Sequence, residues 1–208
     1  MTILVAAITI PLWSWVDLYK AFPRNTIVRR ILKFIPYFVP IATFGISLKP
    51  GLASILICAG TAAVCLIVTY PQIKEVLNRR VLALMPRQTL SRRASEAIFF
   101  LGSAIAQEYL HRYVLVLYLM EIKIPLVNIV VITAATFVLE HFIVRDGGHT
   151  AKSSRNIILW VTLGLIFGTA SVCNPDALLG CIIGHGMINM PAAIRPFLRG
   201  ARKVTLER

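Results

Sequence analysis

Ala106-Gln107-Glu108-Tyr109-Leu110-His111-Arg112 places five polar or ionisable groups inside an apolar run, residues 94–120, of membrane-spanning composition. Carrying such groups into hydrocarbon is expensive, so in a spanning helix they face the protein interior and serve function by default. Residues four apart on a helix share a face. Gln107 and His111 therefore form one pair, and Glu108 and Arg112 the next. An ion pair between Glu108 and Arg112 is one way to carry both groups into a membrane. Two later pairs at the same spacing, Phe137 with His141 and His185 with Asn189, are the candidate partners of this stretch.

The rest of the chain reads as the scaffold. Of 208 residues, 57% are hydrophobic and 15% charged, and mean hydropathy is +0.75. The apolar share exceeds the roughly 45–50% of soluble domains. The expected fold is all-α: one polytopic membrane domain of about seven transmembrane helices with a C-terminal four-helix catalytic core. The spans are expected at residues 2–19, 31–48, 51–70, 94–120, 125–144, 157–172 and 177–194. Residues 1–70 would form N-terminal helices, 71–93 a basic cytoplasmic segment, 94–196 the core helices and 197–208 a basic tail. A Gly164-x-x-x-Gly168 spacing would allow close helix packing.

Charge sets the expected orientation. The net charge is +13, and nineteen of the 22 Lys and Arg fall in alternate loops, leaving Lys49, Arg112 and Lys123. Such asymmetry predicts an N-terminus outside and a cytoplasmic C-terminus. Because the positives lie in bands between apolar runs and form no continuous groove, nucleic acid is excluded as a partner and membrane lipid is expected. Residues 71–90 alternate basic and apolar side chains, as an amphipathic surface helix would. Asp146-Gly147-Gly148-His149 is a turn, with His149 solvated.

Cys58, Cys65, Cys173 and Cys181 form no CxxC and read as small apolar helix residues, although Cys173 and Cys181 could approach each other. Residues 2–16 lack a basic n-region and a small-x-small cleavage site, so they read as a retained helix.

The three polar segments fall at similar depth. At about 1.5 Å per residue, Gln107 lies roughly 14 Å from Ile98, His185 about 15 Å from Arg195, and His141 about 6 Å from Arg145. All three can converge on a cavity open to the cytoplasm. Glycines on either side of His185 would admit a backbone or a substrate closely.

Gln107-Glu108-x-x-x-Arg112, Phe137-x-x-x-His141 and His185-x-x-x-Asn189 together resemble the three motifs of the CAAX protease and bacteriocin-processing family. Those motifs read EExxxR, FxxxH and HxxxN or HxxxD, in this order on successive core helices. The resemblance covers residues 95–196. It implies a glutamate-type intramembrane peptidase acting on prenylated CAAX proteins or leader peptides, or an immunity protein. A first-motif glutamate and His141 would activate water. His185 and Asn189 would stabilise the oxyanion, and Arg112 would hold the first motif in place. The resemblance thus names Gln107, Glu108, His141, His185 and Asn189 as catalytic candidates, supported by Arg112, Phe137 and Glu140. No cofactor is expected. Zinc on His141, His185 and a carboxylate is the second-ranked alternative, because HExxH is missing.

One position departs from the family pattern. The expected base is a glutamate where this chain has Gln107, and an amide takes no proton at neutral pH. Three readings stay open: a member kept for binding or immunity, an enzyme using Glu108 or Glu140 on a peptide or lipid-like small molecule, or an engineered near-isosteric change.

Overall fold

The computed structural model describes residues 27, 34–38, 40–49, 51–86, 88–143 and 154–198. Over these residues the chain is helical and has no strand, in agreement with the all-α expectation. The run at 2–19, the turn at 146–149 and the tail beyond Leu198 lie outside the described residues.

The run at 31–48, expected as one span, is not a continuous helix over its described residues. It consists of a 3-10 turn at Ile35–Phe38 and a helical turn at Ile41–Phe44. Pro36 and Pro40 remove backbone donors, and Gly45 at φ +64° ends the second turn in a conformation that favours glycine. Hydropathy here reports neither helix length nor uniform burial, since Ile41, Ile46 and Leu48 are exposed. Phe34 and Tyr37 are buried against Tyr109, Leu110 and Val114 of the polar stretch.

Helix α1 spans Leu52–Val68. The amphipathic segment follows as two short helices, α2 (Tyr70–Val76) and α3 (Arg79–Leu84), in place of one. Asn78 separates them because its side chain caps α3, accepting from the Arg80 amide at 2.9 Å. Leu82 is buried while Arg79 and Arg80 are exposed.

Helix α4 (Leu90–Glu108) starts at Thr89, whose hydroxyl accepts from the Arg92 amide at 3.3 Å. It passes through a π-helical segment, Tyr109–Val114, into α5 (Leu115–Glu121). Such π segments insert a residue into the helix and concentrate at functional sites. This one coincides with the polar stretch. Helices α6 (Leu126–Ile143), α7 (Ser154–Cys173) and α8 (Leu178–Leu198) complete the core. α8 packs on α1 and α4, and α7 packs on α6.

Small residues make these crossings close. Gly164 and Gly168 face Ala134 and Thr133 of α6, where an added Cβ would come within 3.1 and 3.0 Å. At the α1–α8 crossing, a Cβ on Gly180 would lie 2.7 Å from the Ser54 carbonyl, and one on Gly184 the same distance from that of Cys58. Cys181 sits in this crossing with its Sγ 3.7 Å from Cys58 Sγ. Its sulfur neighbour is therefore Cys58 and not Cys173, which is exposed. Because backbone cannot yield as a flexible side chain can, Gly180→Val is expected to destabilise by about 1–3 kcal/mol, the range for overpacking. Gly186→Ala, with nothing within 4 Å of its added Cβ, should not. Thermal unfolding of the two variants in detergent checks this.

Among the described residues, no single helix is long and apolar enough to cross a membrane. Leu52–Val68 with Ile73–Leu84, bent by 69°, passes the length and composition test as a pair.

Candidate active site

The π segment and α4 aim their polar side chains in two directions. Glu108 and Arg112 turn toward α8 and α6. Arg112 Nε lies 3.4 Å from Glu108 Oε2, and both side chains are wholly buried. His185 of α8 donates from Nδ1 to Glu108 Oε1 at 2.7 Å. Arg112 also donates from Nη1 to the Thr133 carbonyl at 3.0 Å, and its guanidinium sits 5.0 Å over the Phe137 ring. One arginine thereby ties the first polar stretch to α6 and balances a carboxylate that water cannot reach.

Gln107 and His111 share the other face, as their spacing implies, and both meet Glu140. Gln107 Nε2 donates to Glu140 Oε1 at 3.1 Å, and His111 Nε2 contacts Glu140 Oε2 at 2.5 Å. Tyr37 donates its hydroxyl to Glu140 Oε1 at 2.5 Å. His111 Nδ1 is 3.2 Å from the Thr136 hydroxyl.

His141, one residue beyond Glu140, has Nδ1 at 2.8 Å from the Phe137 carbonyl. A carbonyl only accepts, so Nδ1 carries the proton and the neutral ring has its lone pair on Nε2. Phe137 and Trp160 hold the ring, with centroids 4.5 and 4.8 Å away. Phe137 stands at the centre, also in edge contact with the rings of His111 and His185.

These side chains surround a cavity of about 120 Å³. Gln107, Phe137, Glu140, His141, His185 and Asn189 all line it. Residues 93–191, just under half of the chain and containing all three paired motifs, match the family model described as type II CAAX prenyl endopeptidase, Rce1-like. That segment is similar to the Rce1-like family. No curated protein and no solved structure matches the chain.

Within this site the candidates are not equivalent. Gln107, His141, His185 and Asn189 reach the cavity. Glu108 and Arg112 do not line it; Glu108 reaches it through His185, and Arg112 joins the π segment to α6. Asn189 Nδ2 donates to the Phe100 carbonyl at 2.9 Å and lies 3.5 Å from the Ser103 hydroxyl, so it also anchors α8 to α4.

His141 and His185 stack with ring centroids 6.5 Å apart. Both Nδ1 atoms already face acceptors, so a zinc ion would have to be met by the Nε2 atoms. Among the described residues no three His, Cys, Asp or Glu side chains are grouped as metal ligands.

Several site residues carried no recognisable signal in the sequence. Tyr37 reaches Glu140 across 103 positions of chain from a proline-interrupted run, and Trp160 supports His141 from α7. His111 did carry a signal, its spacing from Gln107, but it lies outside the three motif pairs.

Proposed function

We propose that this protein is a membrane-embedded hydrolase that cleaves a peptide bond close to the membrane, on a substrate of the lipidated C-terminal type. The observation that carries this reading is the convergence of Gln107, Phe137, His141, His185 and Asn189 on one cavity. In this reading His141 Nε2 accepts from a water and holds it for attack. His185, anchored at Nδ1 by Glu108, meets the developing oxyanion with Nε2–H when its ring is protonated. Asn189 supplies the second donor by turning one amide N–H from its long contact with the Ser103 hydroxyl, 3.5 Å, to the oxyanion. Preorganised donors in a water-poor site are worth more than the same donors in water.

The surface supports a lipid environment. Leu52, Ile67, Leu84, Leu90 and Val127 are each 70–83% exposed, while Glu108, Arg112 and Glu140 are buried. Large exposed apolar area over a buried polar centre suits a chain solvated by lipid tails. With the charge bands of the loops, the orientation is N-terminus outside and C-terminus cytoplasmic. A second cleft, of about 410 Å³ and mostly apolar, lies between α1 and α7 at Val64, Val68, Ile158 and Thr162. It shares Leu159 with the candidate catalytic cavity. An isoprenoid or acyl tail could lie there with its peptide end at His141.

Gln107 favours a second reading, in which the chain binds such a ligand without cutting it, as an immunity or carrier protein does, or acts on a lipid-like small molecule. Purified protein in lipid vesicles would be offered one CAAX-type peptide with and without its prenyl group, and an unrelated leader peptide. The hydrolase reading expects turnover of the prenylated peptide, reduced at least about tenfold without the lipid. Retention of the prenylated peptide with no turnover supports the second reading.

A further inference from the structure

We infer that Glu140 is the carboxylate of this catalytic cavity, and that Gln107 and Glu140 form an acid–amide pair whose members can be exchanged. The catalytic part of this inference rests on the hydrolase reading; the pairing does not.

The two groups are in direct contact, Gln107 Nε2 to Glu140 Oε1 at 3.1 Å, and both line the cavity. A carboxylate only accepts, so the amide must offer its nitrogen to Glu140 and turn its carbonyl oxygen away. Gln107 is therefore oriented, and it brings a donor where a second acid would bring a like charge. Two carboxylates in contact cannot both ionise, so a glutamate at position 107 would have to share a proton with Glu140. The amide at 107 is what allows Glu140 to stand there as a carboxylate.

The surroundings of Glu140 hold it in the ionised form that this role needs. Tyr37 and Gln107 donate to Oε1 and His111 to Oε2. A carboxylate has about four lone-pair sites, so one site on Oε2 remains after these three bonds. His141 follows Glu140 directly on α6 and lines the same cavity.

The step balances as a hydrolysis. Water forms a C–O bond to the peptide carbonyl carbon while its proton passes to Glu140. The intermediate collapses with cleavage of the C–N bond, and the same proton leaves Glu140 for the departing amine.

The test uses Glu140→Gln, Gln107→Glu and the double variant, each in the full chain, read by kcat and KM on the prenylated peptide and by thermal unfolding at neutral pH. Glu140→Gln is expected to lower kcat about a hundredfold with KM little changed. Gln107→Glu alone should lower the unfolding temperature by placing two acids in contact. The double variant restores one acid and one amide, so it should recover most of that temperature and at least about tenfold in kcat over Glu140→Gln.

Wild-type kcat in Glu140→Gln would overturn the catalytic role. A double variant no more stable than the sum of its singles would overturn the pairing. Recovery of stability with no turnover by any form, wild type included, would uphold the pairing and sink the hydrolase reading instead.

Discussion

Replacing His141 with alanine is expected to lower kcat on a prenylated peptide at least about a hundredfold, because the attacking water loses the group that positions it. The expectation comes from how the ring is held. The Phe137 carbonyl fixes its tautomer at Nδ1, and Phe137 and Trp160 fix its plane. The nitrogen that can accept a hydrogen bond from the water is thereby defined before substrate arrives. Three contacts spread over two helices also mean that alanine should remove the chemistry with little change in the fold. Steady-state kinetics in vesicles, alongside unfolding temperature, separates the two effects. A variant with wild-type kcat would remove His141 from the chemistry.

The largest stability effect is expected at Arg112. Arg112→Met keeps the length and volume of the side chain but deletes the cation beside Glu108, which is 0% exposed. Removing one partner of a buried pair leaves an uncompensated charge and costs about 3–5 kcal/mol. The Thr133 carbonyl loses one donor in the same change and keeps the Thr136 hydroxyl. Adding Glu108→Gln to Arg112→Met removes the stranded charge and should recover a large part of the loss, because the two sites are coupled and their effects are not additive. Denaturant unfolding of the two singles and the double measures this. Additive losses would mean that Arg112 stabilises through α6 alone.

The site was more legible in the sequence than the scaffold around it. Helical periodicity alone divides the polar stretch correctly: Gln107 and His111 meet one partner, and Glu108 and Arg112 another. Spacing is local information, and it holds here although His111 and Arg112 lie inside the π segment. What periodicity cannot supply is which distant element closes the cavity. Tyr37 comes from a run whose hydropathy suggested a span and whose prolines broke it into turns. Trp160 and the Gly180–Ser54 contact are set by how helices cross, and nothing in their neighbours along the chain encodes that. Glu140 was assigned a supporting part because it is adjacent in sequence to the more recognisable His141. The contact with Gln107 that changes its meaning is 33 residues away.

The chemistry proposed for this cavity is the addition of water across a peptide bond. Its most direct measurement is mass spectrometry of a prenylated CAAX-type peptide incubated with the wild-type protein in vesicles made up in oxygen-18 water. The expected result is loss of the C-terminal peptide and one heavy oxygen in the new carboxylate of the lipidated fragment, both abolished in His141→Ala. Recovery of the intact peptide from the wild-type protein, or cleavage that persists in His141→Ala, would contradict it.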